Sequence, residues 1–235
     1  MKFSPFPTAP NPINKVESHF VSPVILAIIR VIFFLYTFAV LIVQIVLNYP
    51  YAVIFYGFLT ILSYYAVILY FLISSGLSLY YVIKKRVPWE KRPWANRFIT
   101  GLYIALMIDT LLVTCIYWSM LFSGDRISTP LRSWLNISVH ALQTVFMLIE
   151  FALCKHEWNW KYPPVVAIVL FIYLAWALIV YVGFGFLVYP FLDYHNGKLF
   201  GSAIGIVIAV FVVICVIMYI LHRIRNWLGL KMSKE

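Results

Sequence analysis

LNISVHALQTVFMLIE, residues 135–150, is apolar enough to sit in a bilayer and yet carries Asn136, His140, Gln143 and Glu150. At roughly 100° per residue these four positions fall within about an 80° arc of one helix face. Imidazole, amide and carboxylate groups in hydrocarbon cost several kcal/mol unless they are paired, so a polar stripe on a membrane helix marks a functional site. The partner of His140 is therefore the first thing to find.

The chain around this stretch is composed for a bilayer. Its 235 residues are 64% hydrophobic and 11% charged, with a mean hydropathy of +0.93, which excludes a soluble globular domain. Six apolar runs, over residues 24–47, 52–82, 98–122, 134–154, 165–188 and 200–221, reach the ~20 residues a helix needs to cross the hydrocarbon. Strands of a membrane barrel would give runs about half as long. The expected fold is all-α, a polytopic bundle of six transmembrane helices over residues 23–222. A disordered tail over 1–22 and a basic tail over 223–235 are expected to flank it.

The net charge of +10 comes from 18 Lys and Arg against 8 Asp and Glu. Its meaning depends on position, because Lys and Arg in short loops mark the cytoplasmic side of a membrane protein. Lys2, Lys15, the bases of the 84–97 loop, Lys155, Lys161, Arg223, Arg225, Lys231 and Lys234 fall on the side that holds both termini. The other side has Arg126, Arg132 and Lys198, and Arg30 lies within the first helix. Both termini are accordingly expected in the cytoplasm. The loop KKRVPWEKRPWANR mixes bases with tryptophans, a composition that can hold nucleic-acid phosphates. Between two spans it reads instead as a loop facing anionic lipid, with its tryptophans at the headgroup level. The expected partners are membrane lipids and not nucleic acid. The amino-terminal segment has Pro5, Pro7, Pro10 and Pro12 and no apolar core before Ser22, so it reads as a disordered tail rather than a cleaved signal.

Cys115, Cys154 and Cys215 lie in or at the end of apolar runs without CxxC spacing. They are expected as small core residues, in neither a disulfide framework nor a zinc site. His19, His140, His156, His195 and His222 fall on separate elements without HxxxH or HExxH spacing, so no metal is expected. No glycine-rich phosphate loop or GxSxG elbow occurs, and no cofactor is expected. Gly183 and Gly185, shortly before Pro190, fit a helix end or a close helix approach.

Depth narrows the partners of His140. At 1.5 Å per residue His140 lies about 10 Å inside the non-cytoplasmic end of the fourth helix, and Thr60 lies about 12 Å in from the same side on the second. Thr60 shares its face with Ser63, Tyr64, Ser74 and Ser78, a hydroxyl stripe suited to the bundle interior. An alcohol beside a neutral imidazole is the minimum for nucleophilic catalysis: the imidazole takes the hydroxyl proton during attack and returns it to the leaving alcohol. The competing reading is structural, since Ser and Thr on membrane helices commonly bond their own backbone or a neighbouring helix.

LNISVHALQTVFMLIE, together with VTCIYWSMLF (113–122) and YLAWALIVYVGFGFLVYPFLDY (173–194), resembles the androgen-induced-gene family of integral membrane proteins and its rolling-stone relatives. The matching pieces include Asn136 with His140 four residues on, Glu150, and Tyr189-Pro190-Phe191-Leu192. The resemblance implies a six-helix enzyme that hydrolyses fatty acid esters of hydroxy fatty acids. Thr60 would be the nucleophile, with Ser63 as the fallback, and His140 the general base. The rolling-stone branch implies instead a non-catalytic role in cell contact or fusion. A lipid ester would enter sideways from the leaflet. Asn136, one turn from His140, would fix the imidazole tautomer, donate to the oxyanion, or bond loop backbone.

Glu150 near the cytoplasmic end of the fourth helix and Arg30, about 9 Å in from that side on the first, are expected to pair as a structural ion pair. Asp109 falls near mid-membrane on the third helix, bonded to a neighbour or lining a cavity as a substrate contact or proton relay. Asp109 with His140 leaves a third function open, a small proton-coupled transporter, although no internal repeat supports it. An integral protein of the endoplasmic reticulum, other endomembranes or the plasma membrane is expected, in an oligomeric state the sequence leaves open.

Overall fold

The computed structural model describes residues 10–48, 57–123 and 129–232. It is a bundle of six helices, each long and apolar enough to span a membrane: α1 Pro23–Asn48, α2 Leu59–Lys84, α3 Pro93–Leu121, α4 Pro130–Leu153, α5 Pro163–Phe184 and α6 Gly197–Met232. Residues 52–56 of the second expected span, and the outermost parts of both tails, lie outside the described residues.

Proline sets where the helices begin. Pro93, Pro130 and Pro163 each stand at the start of a helix, where a missing N–H costs nothing and φ is already helical. Pro23 opens α1 after Ser22, whose hydroxyl accepts the Ile25 N–H at 3.3 Å. Thr129 does the same for α4 by accepting the Arg132 N–H at 3.3 Å. α2 stops at Lys85 and α5 at Gly185, both in the left-handed conformation at φ 53° and 67°, the usual geometry for satisfying the last carbonyls.

α3 is the hub. It packs against α2, α4, α5 and α6, while α1 lies across α2 and α4. Ile99, Tyr103, Ile104, Met107 and Ile108 of α3 are all buried. α1 is joined to α4 by the stacked rings of Phe33 and Phe146, 4.3 Å apart. α5 is apolar on every side, and its outer face leaves Ile168, Phe171, Ile172 and Ile179 exposed, as expected of a helix facing lipid.

Two helices leave α geometry at the same end of the bundle. α3 finishes in a π turn, Tyr117–Leu121, and α4 contains one at Ser138–Leu142. A wider turn takes carbonyls out of the i→i−4 ladder. One of them, that of His140, accepts from the Thr114 hydroxyl at 2.7 Å, and Thr114 also meets Thr144 at 2.7 Å.

Three expectations need correction. Residues 10–22, expected within a disordered tail, fold over the basic end of the bundle: Pro12–Lys15 forms a 3-10 turn, Val16 is fully buried, and Ser18 bridges Cys154. Their order comes from partners no local pattern shows, with Tyr81 donating to Glu17 at 2.8 Å and Lys155 at 3.1 Å from the same carboxylate. The carboxyl-terminal segment expected as a basic tail is helical through Met232, and Arg225 is buried there, donating to the carbonyls of Phe151 and His156. Cys115, expected in the core, is exposed on the outer face of α3, while Cys154 and Cys215 are buried.

Candidate active site

At the end of the bundle where α2 begins and α3 finishes, a cavity of about 520 Å³ opens between α2, α3, α5, α6 and the 189–192 turn. Its walls are mostly apolar, including Leu112, Val113, Leu170, Phe171, Phe191 and Phe211. Four hydroxyl side chains interrupt them: Thr60, Tyr117, Tyr173 and Tyr189. Thr60, 8% exposed, stands in the first turn of α2, where backbone N–H groups lack helical acceptors and the helix dipole is positive.

That helix start has no side-chain cap of its own, and distant residues supply one. The Leu59 N–H donates to the Tyr173 hydroxyl at 3.0 Å and the Tyr189 hydroxyl at 3.1 Å. Tyr173 in turn donates to the Gly57 carbonyl at 3.0 Å. The Tyr189 hydroxyl also lies against Thr60 and the Tyr173 hydroxyl. Burial pushes the Tyr189 phenol above its ordinary pKa, so this hydroxyl keeps its proton.

His140 lies in the π turn of α4 at this same end, and its ring stacks flat on that of Tyr117, with centroids 3.4 Å apart and planes 5° apart. His140 is not part of the cavity wall; Tyr117 joins the two, lining the cavity with Thr60 and lying against the imidazole. Asn136 donates to the Tyr117 hydroxyl, so it holds the ring on which His140 rests. Gln143 is buried and donates back to the Val139 carbonyl. Ser63, one turn below Thr60, is buried and faces Asp109 across the α2–α3 contact.

A second polar cluster occupies the opposite end. Arg30 and Glu150 are both fully buried and paired bidentately: Nε donates to one carboxylate oxygen at 3.0 Å and Nη2 to the other. Nη1 donates to the Lys15 carbonyl and the Ser78 hydroxyl, each at 2.6 Å, and Tyr70 donates to Glu150 at 2.7 Å. Nothing in the sequence alone points to Lys15, Tyr70 or Arg225 here. Glu150, Cys154 and His156 bring their donor atoms within 4.8 Å of one another, a set of metal-ligating types. The surroundings oppose a cation, because Arg30 and Tyr70 occupy the carboxylate and Arg225 adds a second buried positive charge. Burial pushes the Cys154 thiol up to about 11, so a cation would have to displace its proton to bind there.

Tyr117 and Tyr173 join the site from within the stretches 113–122 and 173–194, where neither stands out as a single residue, whereas Tyr189 belongs to the Tyr189-Pro190-Phe191-Leu192 motif. Searches of curated proteins and of solved structures find no match. The sequence model of the FAR-17a/AIG1-like protein family matches residues 54–228, a region that holds Thr60, His140, both π turns and the tyrosines around the cavity. With three quarters of its length so matched, this six-helix membrane protein belongs to the FAR-17a/AIG1-like family.

Proposed function

We propose that this chain is an intramembrane hydrolase of lipid esters, with Thr60 as nucleophile and His140 as general base. The observation that carries the reading is the position of Thr60: a hydroxyl at the positive end of α2 on the wall of an otherwise apolar cavity. Such a cavity accepts an acyl chain by burying its methylene groups, each worth about 0.8 kcal/mol. The carbonyl at the polar end of that chain is then left beside Thr60 and the exposed end of the helix dipole.

In the first step the Thr60 oxygen attacks the acyl carbon while the neutral imidazole of His140 takes its proton; the alcohol then leaves with that proton. Water cleaves the acyl-threonine by the same route. Tyr117, braced by Asn136, keeps the imidazole in one orientation through ring stacking. Fatty acid esters of hydroxy fatty acids fit as substrates, because both halves are acyl chains and can reach the cavity from the bilayer between α5 and α6. The distribution of Lys and Arg supports an orientation with both termini in the cytoplasm and the cavity in the opposite leaflet.

The test is turnover of a palmitoyl ester of hydroxystearic acid by the purified protein, with fluorophosphonate labelling alongside. Thr60→Ala should abolish both signals, and His140→Ala should lower kcat by about 10²–10⁴. Turnover unchanged in both variants would refute Thr60 and His140 as the catalytic pair, whereas no turnover and no labelling by the unmodified protein would leave a non-catalytic membrane protein of the cell-contact type.

A further inference from the structure

The Tyr189-Pro190-Phe191-Leu192 turn has no part in the steps above, yet it is built with care. Pro190–Leu192 forms a 3-10 turn whose Phe191 and Leu192 are buried. The Tyr189 ring stacks on Phe191 at 5.3 Å and packs on Phe58 at 5.9 Å, so two aromatic contacts aim the phenol at the start of α2. There its oxygen takes the Leu59 N–H at 3.1 Å and lies against Thr60 and Tyr173. Tyr173 bonds the same N–H but commits its own proton to the Gly57 carbonyl. A phenol oxygen that accepts an N–H group at a helix N-terminus is polarised, and its O–H becomes a stronger donor. The donor lies on the cavity wall beside the Thr60 oxygen, where the carbonyl of a bound ester must lie for attack.

We infer that Tyr189 is a catalytic residue, donating its phenolic hydrogen bond to the oxyanion that forms when Thr60 attacks an acyl carbon. This rests on the reading of Thr60 as nucleophile. In the step, the bond from the Thr60 oxygen to the acyl carbon forms and the Thr60 proton passes to His140. The π pair of the carbonyl moves onto its oxygen, which accepts from Tyr189 without taking the proton. Collapse restores the carbonyl and breaks the bond to the alkoxy group, which leaves with the proton held by His140. The site is thus assembled from three parts of the chain, with α2 supplying the nucleophile, the π turn of α4 the general base and the 189–192 turn the oxyanion contact.

The experiment uses the full chain in lipid nanodiscs, with p-nitrophenyl laurate as substrate and a fluorophosphonate as probe, whose phosphoryl oxygen needs the same donor. Tyr189→Phe should lower kcat by about 10²–10³ with little change in KM, and slow labelling in parallel. If Tyr189→Phe keeps kcat within about threefold while Thr60→Ala is inactive, the inference is overturned and the nucleophile stands. If Thr60→Ala is also active, the underlying reading falls and takes the inference with it. Incorporating 3,5-difluorotyrosine at 189 guards against a misfolded Phe variant, because it preserves the side chain but lowers the phenol pKa. A hydroxyl that must donate then loses activity at alkaline pH, where the unmodified protein still turns over. An unmoved pH profile makes Tyr189 only a cap for α2 and refutes the inference.

Discussion

Replacing Arg30 by Met is the sharpest probe of what holds the bundle together. The substitution keeps much of the side-chain length but strips Glu150 of its bidentate partner, leaving a fully buried carboxylate with Tyr70 alone. It also orphans two acceptors, the Lys15 carbonyl and the Ser78 hydroxyl. Breaking a buried pair from one side costs about 3–5 kcal/mol, and each lost hydrogen bond adds about 1 kcal/mol. Because the Lys15 carbonyl can swing out to water with its segment, Arg30→Met should cost about 5 kcal/mol in all. Cys154 reports the event: it is fully buried and bridged to Ser18, and in a Cys115→Ala, Cys215→Ala background it is the only thiol. Its reaction with a maleimide dye in detergent should speed up by about 10³-fold or more, since each 1.36 kcal/mol is a factor of ten. The double variant Arg30→Met, Glu150→Met removes the uncompensated charge and should be more stable than Arg30→Met by about 2 kcal/mol. A single variant that costs less than about 1 kcal/mol, or two costs that simply add, would refute the argument.

Two further outcomes follow from close contacts at His156 and Gly101. Burial, reinforced by Lys15, Arg30 and Arg225, holds His156 well below its ordinary value, so the folded protein keeps it neutral. The unfolded chain then takes up the proton first; stability from this group is intact above pH 6.5 and falls as the pH drops below it. His156→Phe should flatten that acid limb in thermal melts, and an unchanged slope would place the titration elsewhere. At Gly101 an added Cβ would come within 2.8 Å of the Tyr162 ring, whose hydroxyl donates to the Arg97 carbonyl at 3.2 Å. Gly101→Ala should therefore cost about 1–3 kcal/mol by overpacking, and equal melting temperatures would show that Tyr162 yields freely.

The sequence disclosed the six spans because hydropathy over ~20 residues is a sum that local detail does not disturb. Arg30 and Glu150 were also legible, since rise per residue alone puts them at one depth. The strap over residues 10–22 was not, because its order depends on Arg30, Tyr81 and Lys155, all remote in the chain. Arg225 looked like tail charge because nothing in its neighbourhood announces the carbonyls of Phe151 and His156. The π turns escape a 3.6-residue periodicity by definition, and with them goes the stacking of His140 on Tyr117. The tyrosine cap on α2 joins α5 and the turn beyond it to a helix more than a hundred residues earlier, as the separations of 114 and 130 residues show.

The helices that enclose the cavity differ greatly in how firmly protein grips them. Within its most apolar window α3 is 56% buried, but α5 is only 11% and α6 17%. In a bilayer much of the chamber would therefore be backed by lipid rather than by a rigid neighbour, and its width would become a property of the bilayer as well as of the chain. Lateral pressure and acyl-chain order press on α5 and α6 from outside, so stiff, sterol-rich membranes hold the chamber tight and thin, disordered ones let it dilate. On the proposed function, the lipids that set the width of this chamber are also the source of its substrate.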